Sequence, residues 1–217
     1  MQLSALALSF IFSFNVLGYS DVVDANGGHT NIKLEMYHCH QDDCQHKTNT
    51  KKVVFKQQGY NRKQWRHWID ADQDCQNTRA EVLIATSITP VTFRNDKGCT
   101  VLRGKWYGAY SGKYWLLASD LDIDHIVPLY WAHAHGGSQW SKHQKSEFAN
   151  TIENLLVIED GLNQAKGAKG PDKWMPPSQP YQCEYVKKFN NIVQKYKLAY
   201  RSEERGYIHK FLEKCVK

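Results

Sequence analysis

An acid and an imidazole stand side by side at Asp124 and His125, inside the stretch Asp120-Leu-Asp-Ile-Asp-His-Ile-Val-Pro-Leu129. A carboxylate is a hard oxygen ligand for a cation, and an imidazole with an ordinary pKa of about 6.5 can accept a proton at neutral pH. Neighbouring strand residues point to opposite faces, so the two can serve one site only where a strand breaks. Leu121 and Ile123 supply the alternation of a short strand, and Pro128 supplies the break. Downstream, Glu153-Asn-Leu-Leu-Val-Ile-Glu159 predicts a second strand. Asp160-Gly-Leu-Asn-Gln-Ala-Lys-Gly167 predicts a short helix with Asp160 as its N-cap. The order strand, strand, helix places Asn154 at the start of the second strand and Asn163 in the first turn of the helix.

Asp124-His125, Asn154 and Asn163 in that order resemble the motif of the HNH endonucleases, the ββα-metal nucleases. The wording is more specific still. Asp122-Ile-Asp-His-Ile-Val-Pro-Leu129, Trp140, Phe148-Ala-Asn150 and Asn163-Gln-Ala-Lys-Gly-Ala-Lys-Gly-Pro-Asp-Lys-Trp-Met-Pro-Pro177 resemble a secreted bacterial branch of that superfamily. So does Trp65-Arg-His-Trp-Ile-Asp-Ala-Asp-Gln-Asp-Cys-Gln-Asn-Thr-Arg-Ala-Glu-Val-Leu83. The resemblance implies an α+β fold with a ββα-metal core, added helices and disulfide staples, following a small N-terminal region that contains β-structure.

Phosphodiester hydrolysis needs a nucleophile made from water, a sink for transition-state charge and stabilisation of the leaving alkoxide. Asp124 and Asn163 offer oxygen ligands and nothing softer, which suits Mg²⁺, or Mn²⁺, retaining several waters. His125, in its neutral form, is the expected general base. By resemblance, Asn154 braces the loop that holds His125. Lys166, one turn beyond Asn163, is expected to meet a substrate phosphate or else to be a solvated helix lysine. Arg79, on the preceding helix, is expected to face substrate, brace the site or form a surface pair with Glu81. Asp122 shares strand parity with Asp124 and is a further carboxylate near it.

A chain of 217 residues can bury one substantial core. Residues 1–20 carry no charged side chain and hold an apolar run from Leu3 to Phe14, followed by Gly18 and Ser20. They read as a signal peptide, with an uncleaved anchor as the alternative. The cysteines 39, 44, 75, 99, 183 and 215 all follow that segment, and an even count in an exported chain argues for disulfides. The favoured pairs are Cys75 with Cys99 and Cys183 with Cys215, leaving Cys39 with Cys44. The rival is a zinc knuckle built from His38-Cys-His-Gln-Asp-Asp-Cys44 and His46. The net charge is +6, and residues 187–217, with nine Lys or Arg and three Glu, account for all of it. Such a concentration suits a phosphate-tracking surface or a solvated pair of amphipathic helices.

In chain order, residues 21–60 show a turn at Asn26-Gly-Gly28, the His- and Cys-rich patch and a strand candidate at Val53-Val-Phe55. Trp65 and Trp68 stand at helical spacing and read as core. Asp72 or Asp74 caps a helix over about Cys75 to Ser87. Asn95-Asp-Lys-Gly98 signals a hairpin between Thr92–Arg94 and Cys99–Tyr107, and Tyr110-Ser-Gly-Lys113 a further turn. Tyr130 to Thr151 reads as two helices split at Gly136-Gly137. His133 and His135 cannot share a helical face, which argues against a metal site built from both. Two apolar stripes, Tyr185 to Tyr200 and Ile208 to Cys215, predict C-terminal helices.

The expected organisation is therefore a signal peptide (1–20), a Cys/His-rich segment (21–60) and an endonuclease domain ending in basic helices (61–217). The expected activity is that of a secreted or periplasmic, monomeric, metal-dependent endonuclease. It would act on DNA, either alone or together with RNA, with little sequence specificity and without membrane association after signal cleavage. The alternatives are a nucleic-acid-binding module with a nuclease-like fold and a zinc hydrolase. The first is opposed by the intact Asp124, His125 and Asn163 set, the second by the absence of HExxH spacing.

Overall fold

A computed structural model describes residues 28–31, 36–39 and 59–215. The chain forms two units, Met1–Val54 and Phe55–Lys217. In the first, β1 (Gly28–Asn31) pairs antiparallel with β2 (Met36–Cys39), Gly28 opposite Cys39. The expected signal peptide, Cys44, His46 and the strand at Val53–Phe55 lie outside the described residues. The Cys39–Cys44 pairing and the zinc knuckle therefore reach outside them too.

The second unit carries the chemistry. It is α+β, with a three-stranded and a two-stranded antiparallel sheet among helices. Helix α1 (Thr78–Thr86) is capped by Asn77, whose side chain accepts from the Ala80 amide. The expected caps Asp72 and Asp74 instead sit in the preceding loop, where Asp74 accepts from the Gln76 amide. Strands β3 (Thr92–Phe93), β4 (Val101–Gly108) and β5 (Lys113–Leu117) form the larger sheet in that order. Sequence reading did not anticipate β5, because Lys113-Tyr-Trp-Leu-Leu117 lacks a polar alternation. Helix α1 packs on this sheet through Val82 and Leu83, and the fully buried Trp106 donates its indole N–H to the Leu83 carbonyl at 2.8 Å. Meeting that buried donor lets a large aromatic serve as the centre of the core.

Strand β6 (Leu121–His125) pairs antiparallel with β7 (Leu155–Glu159), setting Asp124 opposite Leu156 and His125 opposite Leu155. Leu121, Ile123, Leu155 and Val157 face the core that α1 and β4 share. Helix α4 (Asp160–Lys166) follows β7 without a loop. Asp160 opens the helix and binds the Gln164 amide rather than capping backbone, and Glu159 occupies the cap position. The expected strand, strand, helix order thus stands at residues 121–125, 155–159 and 160–166. Between the strands lie α2 (Leu129–Ala134) and α3 (Lys142–Asn150), with Gly136 at φ 124°, a value that only glycine adopts readily.

Helices α5 (Gln179–Lys195) and α6 (Ser202–Lys214) close the chain. Tyr185, Phe189, Ile192 and Val193 are buried on α5, and Ile208 and Leu212 on α6, following the two predicted stripes. His135 holds α6 from across the insertion. Its Nε2 lies 2.9 Å from Glu204 Oε2 and its Nδ1 2.6 Å from the Trp131 carbonyl. Disulfides join Cys75 to Cys99 and Cys183 to Cys215, as favoured from the sequence. No helix among the described residues is long and apolar enough to cross a membrane.

Candidate functional site

Asp124, His125 and Asn163 border one cavity of about 280 Å³, together with Tyr60, Arg62, Pro128, Leu129 and Tyr130. The strand break that the sequence called for lies directly after His125, and it is built by Asn154. This fully buried side chain accepts from the Val127 amide at 2.8 Å and donates to the Val127 carbonyl at 3.2 Å. Its own carbonyl accepts from the Ile126 amide at 2.9 Å. One amide residue at the start of β7 thereby fixes the backbone that leaves β6. An alanine there would leave two buried backbone groups without partners.

His125 is nearly buried. Its Nε2 lies 2.8 Å from the Ala149 carbonyl. A carbonyl can only accept, so Nε2 carries the proton and Nδ1 is left with its lone pair. Burial pulls the imidazole pKa down to about 3, with the Ala149 carbonyl opposing and the Lys166 charge reinforcing, so the ring is neutral at neutral pH. Trp68 stacks against it at 5.8 Å between centroids and 25° between planes. Trp68 itself has φ 56°, an outlier for a bulky residue. Its neighbour Ile69 is held by its N–H on Asn150 Oδ1 and its carbonyl on the Thr78 amide, which keeps the segment in that conformation.

Asp124 is held by two donors. Lys166 Nζ lies 2.9 Å from Oδ1, and the Tyr110 hydroxyl donates to Oδ2 at 2.7 Å. Burial raises the Asp124 carboxyl, and the Lys166 charge opposes that rise. Burial likewise lowers the Lys166 ammonium, and Asp124 opposes it. Tyr110, wholly buried beside this carboxylate, is pushed well above the ordinary phenol range and remains a donor. Asn163 donates its amide to Asp122 Oδ2 at 2.9 Å, which leaves its carbonyl oxygen as an acceptor at the cavity wall.

Two expectations are corrected here. Lys166 was expected to meet substrate or solvent, yet it has no solvent exposure, and its ammonium also donates to the His125 carbonyl at 2.8 Å. Its ammonium is buried together with the Asp124 carboxylate, and each charge offsets the desolvation of the other. Arg79 does not line the cavity either. Its Nη2 donates to the Ala118 and Leu121 carbonyls at 3.1 and 2.9 Å, securing the start of β6. The cationic side chain that does line the cavity, among the described residues, is Arg62.

Sequence reasoning missed Tyr110, Arg62 and Tyr60, and it read Trp68 as core alone. Tyr110 sits in the β4–β5 turn, and only the chain's return brings it to Asp124. Asp70, Asp72 and Asp74 bring carboxylate oxygens within 4.8 Å of one another. They are exposed on the loop before α1, away from the cavity lining.

A buried acid, a neutral imidazole and an amide side chain thus border one cavity of the β6–β7–α4 unit. The family described as "GmrSD restriction endonucleases, C-terminal domain" matches residues 76–210. An "Uncharacterized secreted protein" of Arthroderma benhamiae (strain ATCC MYA-4681 / CBS 112371) is 37% identical over 161 residues, 73% of this chain and 77% of that protein. No solved structure matches significantly. The chain belongs to the family of GmrSD restriction endonuclease C-terminal domains, a nuclease family. With two disulfides and a relative named as secreted, it is an extracellular protein.

Proposed function

We propose that the protein is a divalent-metal-dependent endonuclease that hydrolyses phosphodiester bonds of DNA, and of RNA, with little sequence specificity. The observation that carries this reading is the convergence of Asp124, Asn163 and a neutral His125 on one cavity. The donor set fits a hard cation. Asp124 and Asn163 present oxygens only, and a carboxylate has about four lone-pair sites, so the bonds from Lys166 and Tyr110 leave room for a ligand. Asp124 and Asn163 would hold Mg²⁺ or Mn²⁺ there, and the ion would supply positive charge to offset that of the phosphate and of the departing 3′ oxygen.

The chain's own groups supply the rest. His125 Nδ1, carrying the lone pair, takes a proton from the attacking water. The Ala149 carbonyl at Nε2 then stabilises the imidazolium that forms, and the Trp68 face keeps the ring from turning away. Arg62 at the cavity wall meets a phosphate oxygen, in the place expected for Lys166. Lys166 and Tyr110 orient Asp124 from behind. No base-reading helix or separate specificity domain accompanies these groups among the described residues, which favours backbone contacts over sequence readout.

The test is incubation of plasmid with the mature protein, with Mg²⁺ or with excess chelator. Nicking and linearisation with Mg²⁺ alone are expected. Undiminished cleavage in chelator would overturn the mechanism, and retention of plasmid without any cutting would mark a binding module instead.

A further inference from the structure

On α2, Leu129, Trp131 and Ala132 are all buried, while Tyr130 between them is 48% exposed. A single exposed tyrosine needs no explanation by itself. This one lines the same cavity as Asp124, His125, Asn163 and Arg62. It is also held in place. Tyr60 meets it nearly at right angles, 5.1 Å between centroids and 85° between planes. Tyr60 in turn packs at 6.5 Å on Trp65, which has no solvent exposure. A perpendicular ring pair is a preferred aromatic geometry, so the Tyr130 ring is fixed in orientation. Among the described residues Tyr60 is the one ring that Tyr130 touches, so another ring covers at most one of its two faces.

The residues lining this cavity are of two kinds. Asp124, His125, Asn163 and Arg62 are the polar groups that would deal with a phosphodiester. Pro128, Leu129 and Tyr130, consecutive in the chain, offer apolar surface, and residues 126–134 hold no Asp, Glu, Lys or Arg that would draw a charged group. The two kinds adjoin at the aromatic pair: burial raises the Tyr60 phenol, and the Arg62 guanidinium beside it opposes that rise. The volume is about 280 Å³, just under the roughly 300–1,000 Å³ of small-ligand sites, which suits a phosphate with one flat group beside it. Nucleic acid brings that group with its phosphate, because every base is planar and has a π-face to stack. A phosphorylated alcohol would leave the ring unused. In a duplex each base is already stacked and paired, and freeing it is costly, whereas a base in a single strand can turn onto a protein ring.

We propose that Tyr130 is the stacking surface for the base adjoining the scissile phosphate, and that the site therefore acts on single-stranded or locally unpaired nucleic acid in preference to intact duplex. The inference rests on the nuclease reading above, which puts the phosphate in this cavity. Tyr60 holds the Tyr130 ring, and Arg62 meets the phosphate that carries the stacked nucleoside. The preference concerns strandedness and not sequence, since any base can stack.

The experiment uses the full mature chain with Mg²⁺ and three substrates: single-stranded oligothymidylate, the same strand annealed to oligoadenylate, and a strand of equal length and charge built from abasic tetrahydrofuran units. Initial rates over a range of concentrations give kcat and KM for each, with circular dichroism as the fold check. In the wild type, KM for oligothymidylate should lie about tenfold to a hundredfold below that for the abasic strand, the range for one stacked base. The annealed strand should be cut more slowly than the free one. Tyr130→Ala should make the thymidylate and abasic strands alike by raising KM on the first. Tyr130→Phe should keep the wild-type discrimination, because the ring face is kept. A loss of equal size on both strands in the alanine variant would mark a structural role and overturn the proposal, as would a phenylalanine variant as poor as the alanine one. So would a wild type that cuts the abasic strand or the duplex as well as it cuts the thymidylate strand. A wild type that cuts none of the three would sink the nuclease reading instead. Affinities of the thymidylate and abasic strands, read by fluorescence anisotropy, would then decide the stacking surface by themselves, and equal values would overturn it.

Discussion

Lys166 and the lysines of α5 and α6 are chemically alike, and their surroundings make them different devices. Lys166 is enclosed, its ammonium shared between Asp124 and the His125 carbonyl. Lys188 lies open beside Glu184, one helical turn away, and Lys195 reaches Glu153 across open surface. In the enclosed case the low dielectric makes each partner indispensable to the other; in the open case water and salt compete for both. The lesson is that the ββα unit uses charge to position groups, while the C-terminal helices display charge to whatever approaches.

The largest effect that would sharpen this contrast lies at Asp124 and His125, the proposed metal ligand and general base. His125→Ala should lower the cleavage rate by roughly two to four orders of magnitude while metal affinity is retained. Asp124→Ala should weaken metal binding itself. Calorimetric titration of both variants decides, and equal loss of metal affinity would make His125 a ligand and break the assignment.

Next comes the buried lysine. Lys166→Met leaves the Asp124 carboxylate without its countercharge and should destabilise the fold by about 3 to 5 kcal/mol. Lys188→Ala, removing an open i,i+4 pair, should leave the urea midpoint unchanged within scatter. Similar midpoints for the two variants would erase the distinction between the regions. Reduction of Cys75–Cys99 or Cys183–Cys215 should cost about 2 to 5 kcal/mol each, read from unfolding curves with and without reductant.

A smaller effect is expected where a C-terminal helix does enclose a charge. Burial raises the Glu204 carboxyl, but the bonds from His135 and the Arg201 amide outweigh it and hold the pKa below its ordinary 4.5. A depressed folded value means that its stabilisation is fully present above the unfolded pKa and is lost as pH falls through the folded one. Thermal midpoints followed from neutral pH into the acid range should therefore drop in the wild type, and less steeply in Glu204→Gln. Parallel curves would place the acid sensitivity elsewhere.

Much of the ββα unit could be read directly from the chain. The alternation at Leu121 and Ile123, the stop at Pro128 and the apolar run before Asp160 are local patterns, and local patterns dictate strand and helix wherever one face must be buried. The two described disulfides followed from counting and from the elements they join. Asn154 and Asn163 fell where their types have mechanical uses. Helix caps were less legible, because Asn77 and the nearby aspartates are equally good cap residues and the loop before α1 chose among them.

The sequence by itself determined which groups are available, an acid beside an imidazole and two amides at fixed spacing, because strand and helix periodicity set where each points. Only the tertiary structure decided which cation serves which purpose. Lys166 and Arg79 turn inward to Asp124 and to backbone carbonyls, while Arg62 comes to the cavity from a segment with no motif of its own. Tyr110 reaches Asp124 because a hairpin folds back, and Trp68 reaches His125 through a backbone conformation that no propensity foretells. Burial is a property of the assembled surfaces, and the free energy of a charge depends on burial more than on its position in the chain.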